Sequence, residues 1–231
     1  FPCHKCGNQE NFNCLFCYCP LYALGANITI CGRKLFDMGD TLQAFESALK
    51  KGVDAVVCTH DHLDHLDPDT VAQIPKGQFF ITTTEGKAHL ESLGQTNVTA
   101  LLVGDSITVG DMVITAVFAD HTVEAFGLIV EGEGKTLYFS GDTLFNEKLF
   151  DIAGYHPDLA FICINGRLGN MNAQEAVQLA NIIGAGVSIP NHYDMFASNS
   201  EDPRKFTDFI PQSRVLEFNT EYKISDILAE V

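Results

Sequence analysis

Short apolar runs broken by polar turns set the rhythm of this chain. Residues 54–58 read Asp-Ala-Val-Val-Cys and stop at once in polar residues, the pattern of a short buried strand. Residues 27–30, 34–37 and 78–82 predict further strands, the first two joined by a tight turn at Cys31-Gly32. Residues 41–50 change to a helical period, with Leu42, Phe45, Ala48 and Leu49 on one face and Gly52 closing the helix. Asp67-Pro68 reads as a helix start, a capping carboxylate before a first-turn proline, and residues 85–93 predict another helix.

From residue 98 onward the strand period returns, over 98–102, 106–109, 112–118, 126–131 and 136–139. Gly104-Asp105, Gly110-Asp111 and the Gly-rich stretch 131–134 separate these runs. A buried strand is expected over 158–164, then a helix over 173–183 opened by the capping-box pair Asn172 and Glu175. Residues 187–190 predict a strand, 201–210 a last amphipathic helix and 214–218 a last strand, and the tail from 221 reads as short and partly exposed. Strands and helices alternating in this way predict an α/β fold with two sheets flanked by helices. No internal repeat is legible.

At 231 residues the chain fits one large domain, or one domain with a small appendage. The formal charge of −16, from 14 basic and 30 acidic residues, counts against a nucleic-acid partner. No apolar run reaches the ~20 residues of a membrane span, so no membrane partner is expected and the expected location is cytoplasmic. The chain opens on Phe1, which leaves its true start open. A homo-oligomer is expected from its size and class.

Five of the eight cysteines fall in the first 19 residues: Cys3, Cys6, Cys14, Cys17 and Cys19. Two Cys-x-x-Cys knuckles can place four thiolates around a structural zinc; disulfides and free thiols are the alternatives. Residues 1–20 are therefore set apart as a cysteine-rich segment and 21–231 as the main domain. Cys58 and Cys163 lie in apolar strands and are expected in the core.

The strongest chemical signal is His60-x-His62-x-Asp64-His65, directly after the strand at 54–58. Imidazole nitrogen with carboxylate oxygen suits zinc, and also manganese or iron. Residues two apart on an extended segment point the same way, so His60 and His62 can grip one ion. Asp64 and His65 follow the turn and can face a second. Without a metal, histidines this close repel on protonation.

This segment resembles the metal-binding signature of the metallo-β-lactamase superfamily, and the remaining motifs follow in order. They are Asp37 in Leu-Phe-Asp-Met-Gly, His121 in Ala-Asp-His-Thr, Asp142 in Phe-Ser-Gly-Asp-Thr and His192 in Ile-Pro-Asn-His-Tyr. The resemblance covers roughly residues 21–216 and implies a four-layer αββα sandwich. It implies two divalent metal ions: His60, His62 and His121 on the first, Asp64, His65 and His192 on the second, and Asp142 bridging. Asp37 would act behind the ligands, fixing a histidine tautomer.

The tract from Asn165 to Asn172, with the one around His192, is most similar to the L-ascorbate-6-phosphate lactonase branch. The amino-terminal stretch resembles part of a small cysteine-rich domain. The expected activity is hydrolysis of a small anionic lactone or ester by a metal-activated hydroxide, with Asp64, Asp142 and Asp37 as catalytic groups. Arg167, between glycines, suits a phosphate or carboxylate, or else a carboxylate of this acidic chain. Asn165, Tyr193, Asp120 and Asp194 are further substrate-contact candidates, and His89 is expected to be an exposed helical residue. The alternatives are a phosphodiesterase or nuclease of the same superfamily, and a metal-binding or redox-sensing module centred on the cysteines.

Overall fold

The structure, a computed structural model, describes residues 28–30, 33–37, 53–166, 169–193, 201–217 and 222–229. The expected helix at 41–50, the amino-terminal cysteines, Arg167 and Asp194 lie outside the described residues.

Two sheets form the centre. The first runs β1 (Ile28–Ile30), β2 (Arg33–Asp37), β3 (Ala55–Val57), β4 (Phe80–Thr82) and β5 (Val98–Ala100) in sequence order. Its β1–β2 pair is antiparallel and the other pairs are parallel. The second comprises β6 (Ser106–Val109), β7 (Met112–Phe118), β8 (Phe126–Gly132), β9 (Lys135–Phe139), β10 (Leu159–Cys163) and β11 (Val187–Asn191). Its order is β11-β10-β9-β8-β7-β6, antiparallel from β6 to β9 and parallel from β9 to β11.

Side-chain parity along the strands creates the layers. Ala55 and Val57 of β3 face one core together with Phe126, Leu128, Val130, Leu137, Phe139, Leu159 and Phe161 of the second sheet. That core lies between the sheets. Val56, Cys58 and Phe80 face the opposite way and pack with Leu66, Val71, Ile74 and Leu90 from the helices Pro68–Val71 and Thr84–Ser92 and their flanks. On the outer face of the second sheet Ile129, Tyr138, Ala160 and Ile162 meet Ala176, Leu179 and Ile183 of the helix Ala173–Ile183. Helix, sheet, sheet, helix is the four-layer α/β sandwich. Cys58 and Cys163 are buried, as expected.

The local signals act as read. Asp67 caps the helix Pro68–Val71 through the Thr70 amide, and Asn172 with Glu175 closes a capping box on Ala173–Ile183. Three expectations need correction. Of the strand expected at 214–218, residues 214–217 form none, and 218 lies outside the described residues. The approach to β11 is one isolated bridge, Ser188 to Ser213, with Ser188 donating to the Gln212 carbonyl and Arg214 to that of Ser188. The next bond in that parallel ladder would need an N–H from Pro190, which has none.

The helix expected over 201–210 is a single turn, Arg204–Thr207, starting only after Pro203 and ending before Pro211. The tail is no loose end: Ile224–Ala229 is a helix whose Ile227 is 1 % exposed in the inter-sheet core. A 3-10 helix, Glu147–Tyr155, capped by Asn146, was not foreseen; its Leu149 and Ile152 are buried.

Ile227→Ala should therefore lower stability by about 2–5 kcal/mol, the usual range for emptying a buried aliphatic site. Urea unfolding checks this, and a loss below half a kcal/mol would return the tail to the periphery.

Candidate metal centre

β7 and β9 are both antiparallel to β8 and so run the same way, as do β10 and β11. The carboxyl ends of these four strands share one edge of the sheet. His121 follows β7 by three residues, Asp142 follows β9 by three, and His192 follows β11 directly. The first sheet reaches the same edge through β3. His60, just past it, forms an isolated antiparallel bridge with Ala125, and Phe126 donates its amide to the Thr59 carbonyl at 3.2 Å.

The loop after β3 then turns, with the amides of His65 and Leu66 donating to the His62 carbonyl. One turn presents His60 and His62 on one side and Asp64 and His65 on the other. Among the described residues two ligand sets result: His60, His62 and His121, and Asp64, His65, Asp142 and His192. Within each set the ligand atoms lie within 4.8 Å of one another. The sets adjoin, since the His60 and His65 ring centroids are 3.9 Å apart.

Hydrogen bonds select which atoms face inward. His121 Nδ1 donates to the Gly169 carbonyl, 3.1 Å away, so its Nε2 is the bare nitrogen; it points at His62 Nδ1, 3.1 Å away. Thr59 Oγ1 holds His60 Nδ1 at 3.1 Å and leaves His60 Nε2 buried without a hydrogen bond. Asn170 Nδ2 donates to one oxygen of Asp142, at 2.9 Å. The other oxygen, Oδ1, lies 3.0 Å from His192 Nε2 and 3.4 Å from His65 Nε2. Asp142 Oδ1 and His192 Nε2 are buried and face each other as an ion pair without hydrogen-bond geometry.

Nitrogen and oxygen atoms crowded onto common points, several of them buried without a hydrogen bond, fit divalent cations, and a nitrogen–carboxylate set suits zinc, manganese or iron. His192 itself sits at φ +57, an unusual conformation for a non-glycine residue, and its amide donates to the side chain of Asn191.

Electrostatics agree. Burial, then the neighbouring His65, lowers the His60 pKa well below its ordinary value, and burial also lowers that of His121. Neutral imidazole is the form that ligates. Burial works to raise the Asp142 pKa, but the charges of His192 and His65 override it and hold the carboxyl well below its usual range. Cys163, beneath the site, is pushed up to about 12 by burial and is no thiolate nucleophile at neutral pH.

The seven expected metal ligands thus come together. Asp37 ends β2 in register with Val57 of β3, and its side chain lies outside the description. Asp120 binds Asn146 Nδ2 at 2.7 Å and its amide donates to Thr143 Oγ1, tying the His121 loop to the Asp142 loop. Tyr193 is buried in the outer core. Asn165 is 2 % exposed and neither of its amide atoms has a hydrogen bond. Sequence reasoning missed Thr59, Gly169, Asn170 and Asn191, which steady the ligands; only their nearness to ligand motifs could have marked them. His89 pairs with Asp61 instead of standing free.

Residues 35–193 match the β-lactamase superfamily domain. The chain belongs to the metallo-β-lactamase superfamily. Residues 1–66 also match a cysteine-rich small domain. Among superfamily relatives, a UPF0173 metal-dependent hydrolase of Methanosphaerula palustris is 30% identical over 71% of this chain and 79% of its own length. That of Methanospirillum hungatei is 30% identical over 78% and 87%. The fold is shared with Igni18, a metallo hydrolase of Ignicoccus hospitalis, at TM-score 0.75 and 22% identity, covering 89% of this chain and 98% of that one. It is also shared with the metallo-β-lactamase fold protein YhfI of Bacillus subtilis, at TM-score 0.67 and 18% identity over 81% and 85%. The four-layer sandwich is the fold shared with these proteins. No helix among the described residues is long and apolar enough to cross a membrane.

Two outcomes are expected. Asn170→Leu, which frees the outer oxygen of Asp142, should weaken zinc binding about ten- to a hundredfold, measured by competition with a chromophoric chelator. In chelator-treated protein, His60 resists protonation when folded. Its contribution is therefore complete above the unfolded pKa near 6.5 and is lost as pH falls below it, at up to about 1.4 kcal/mol per pH unit. A urea midpoint unchanged between pH 7 and pH 5 would contradict this.

Proposed function

We propose that this metal-dependent hydrolase opens a small anionic lactone or ester, with a sugar-phosphate lactone as the best candidate. The observation that carries the reading is the pair of adjoining ligand sets, in which His60 Nε2, Asp142 Oδ1 and His192 Nε2 are buried without a hydrogen bond. Divalent ions held there supply Lewis acidity and a water nucleophile at neutral pH.

The chain's own groups have distinct tasks. Asp142, its side chain 6 % exposed and one oxygen tied to Asn170, is a fixed anion of the second set and is assigned the bridging role. Asp64, 20 % exposed, is the carboxylate of the centre with more access to solvent. It is suited to take a proton from the attacking water and return it to the leaving alkoxide. Asp37 is assigned a positioning role behind the ligands.

The preference for an anionic substrate rests on the tract from Asn165 to Asn172. Gly169 binds His121 and Asn170 binds Asp142, so the end of this tract at residues 169 and 170 borders the centre. Arg167 belongs to it, and a guanidinium there suits a phosphate or carboxylate. Asn165, with two buried unpartnered amide atoms, is the better second substrate contact, and Tyr193 the weaker one. The cysteine-rich segment, with Cys3, Cys6, Cys14, Cys17 and Cys19, is assigned a separate structural zinc.

Arg167→Ala should raise KM for a phosphorylated lactone at least tenfold more than for its unphosphorylated analogue, with kcat little changed. Equal effects on the two would remove Arg167 from substrate recognition. Efficient turnover of bis-p-nitrophenyl phosphate, with none of lactones, would favour the phosphodiesterase reading instead. Metal analysis should find about one equivalent fewer after removal of residues 1–20; an unchanged count would leave the cysteines without a metal.

A further inference from the structure

The helix Thr84–Ser92 touches both loops that carry the three-histidine set. In the loop after β3, His60 and His62 face the centre, so Asp61 between them faces the other way. There Asp61 Oδ1 meets His89 Nδ1 at 2.6 Å. An ionised carboxylate can only accept, so His89 Nδ1 carries the proton. The partners are part-buried, at 31 % and 25 % side-chain exposure, which shields the contact from full solvent screening.

At the other end of the same helix, the Glu85 amide donates to Glu124 Oε2 at 3.0 Å. That amide lies in the first turn, beside the Thr83 cap, where helix N–H groups lack intrahelical partners and favour a negative charge. Glu124 is three residues past His121. One rigid element of nine residues therefore holds the back of the His60–His62 segment at its last turn and the His121 loop at its first. Of the other set, Asp142 and His192 hang instead from β9 and β11.

We infer that the helix is a bracket for the first metal site, with His89 and Glu124 as positioning residues that set how closely His62 and His121 approach. The Asp61 carboxylate is thereby a mounting point, turned away from the ions. The inference rests on the reading of the centre as a metal site.

The test is a zinc titration of metal-free full-length protein, followed by nitrogen-15 NMR of the histidine rings, which resolves the imidazoles of each set. Wild-type rings that do not respond would overturn the metal reading itself. Given a wild-type response, His89→Phe should weaken zinc at His60, His62 and His121 about ten- to a hundredfold, and change His65 and His192 much less. His89→Asn, whose amide keeps a donor near the Nδ1 position, should restore most of that affinity. Asp61→Ala should add little to His89→Phe, because both break one contact.

Glu124→Ala should show the same site preference from the opposite end of the helix, and it decides the matter if His89→Phe does not fold. Equal weakening of both sets, no weakening, or failure of His89→Asn to rescue would each overturn the bracket.

Discussion

The centre of this protein is a crowd of polar atoms that satisfy one another only in part. Five imidazoles and two carboxylates converge from the loop after β3 and from the ends of three other strands, β7, β9 and β11. Three of the outward atoms have partners: Thr59 for His60, Gly169 for His121, Asn170 for Asp142. Of the inward atoms, His60 Nε2, Asp142 Oδ1 and His192 Nε2 are buried without a hydrogen bond. A buried polar atom without a partner costs about 1–3 kcal/mol, and several occur in one small volume. The sandwich must be stable enough elsewhere to carry that cost until cations relieve it. Its inter-sheet core and two outer cores, closed by the helix layers, supply the stability, and the C-terminal helix adds Ile227 to the first of them.

The placement of the centre follows from strand direction. A sheet whose β7, β9, β10 and β11 run alike gathers their following loops at one edge. The bridge from His60 to Ala125 then brings the first sheet to the same edge. The ligands are far apart along the chain yet each lies within three residues of a strand end, save those on the short turn from His60 to His65. Rigid supports suit a site whose metal–ligand distances tolerate little error.

Much of this was legible in the residues. The His60–His65 spacing, the motif order and the turn signals identified the fold and all seven convergent side chains, because each rests on local pattern or on a strand end. Other features depend on contacts that no local pattern carries. Asn170 looks like any loop asparagine until β9 and the Asn165–Asn172 tract are side by side. His89 looks like a surface helical residue until Asp61 turns its back on the centre. The strand expected at 214–218 failed for a reason outside itself: the neighbouring strand offers Pro190 where an N–H is needed. The tail read as exposed because its few apolar residues show their purpose only against the gap between the sheets.

Pro190 has a second effect. β11 is the last strand of its sheet, and such borders invite pairing with strands of other molecules. A short crossing segment at residues 212–214 occupies the rim before the proline, and the missing donor interrupts any ladder continued past it. The same residue that ends one internal pairing thus guards the flank beside His192 against intermolecular zippering.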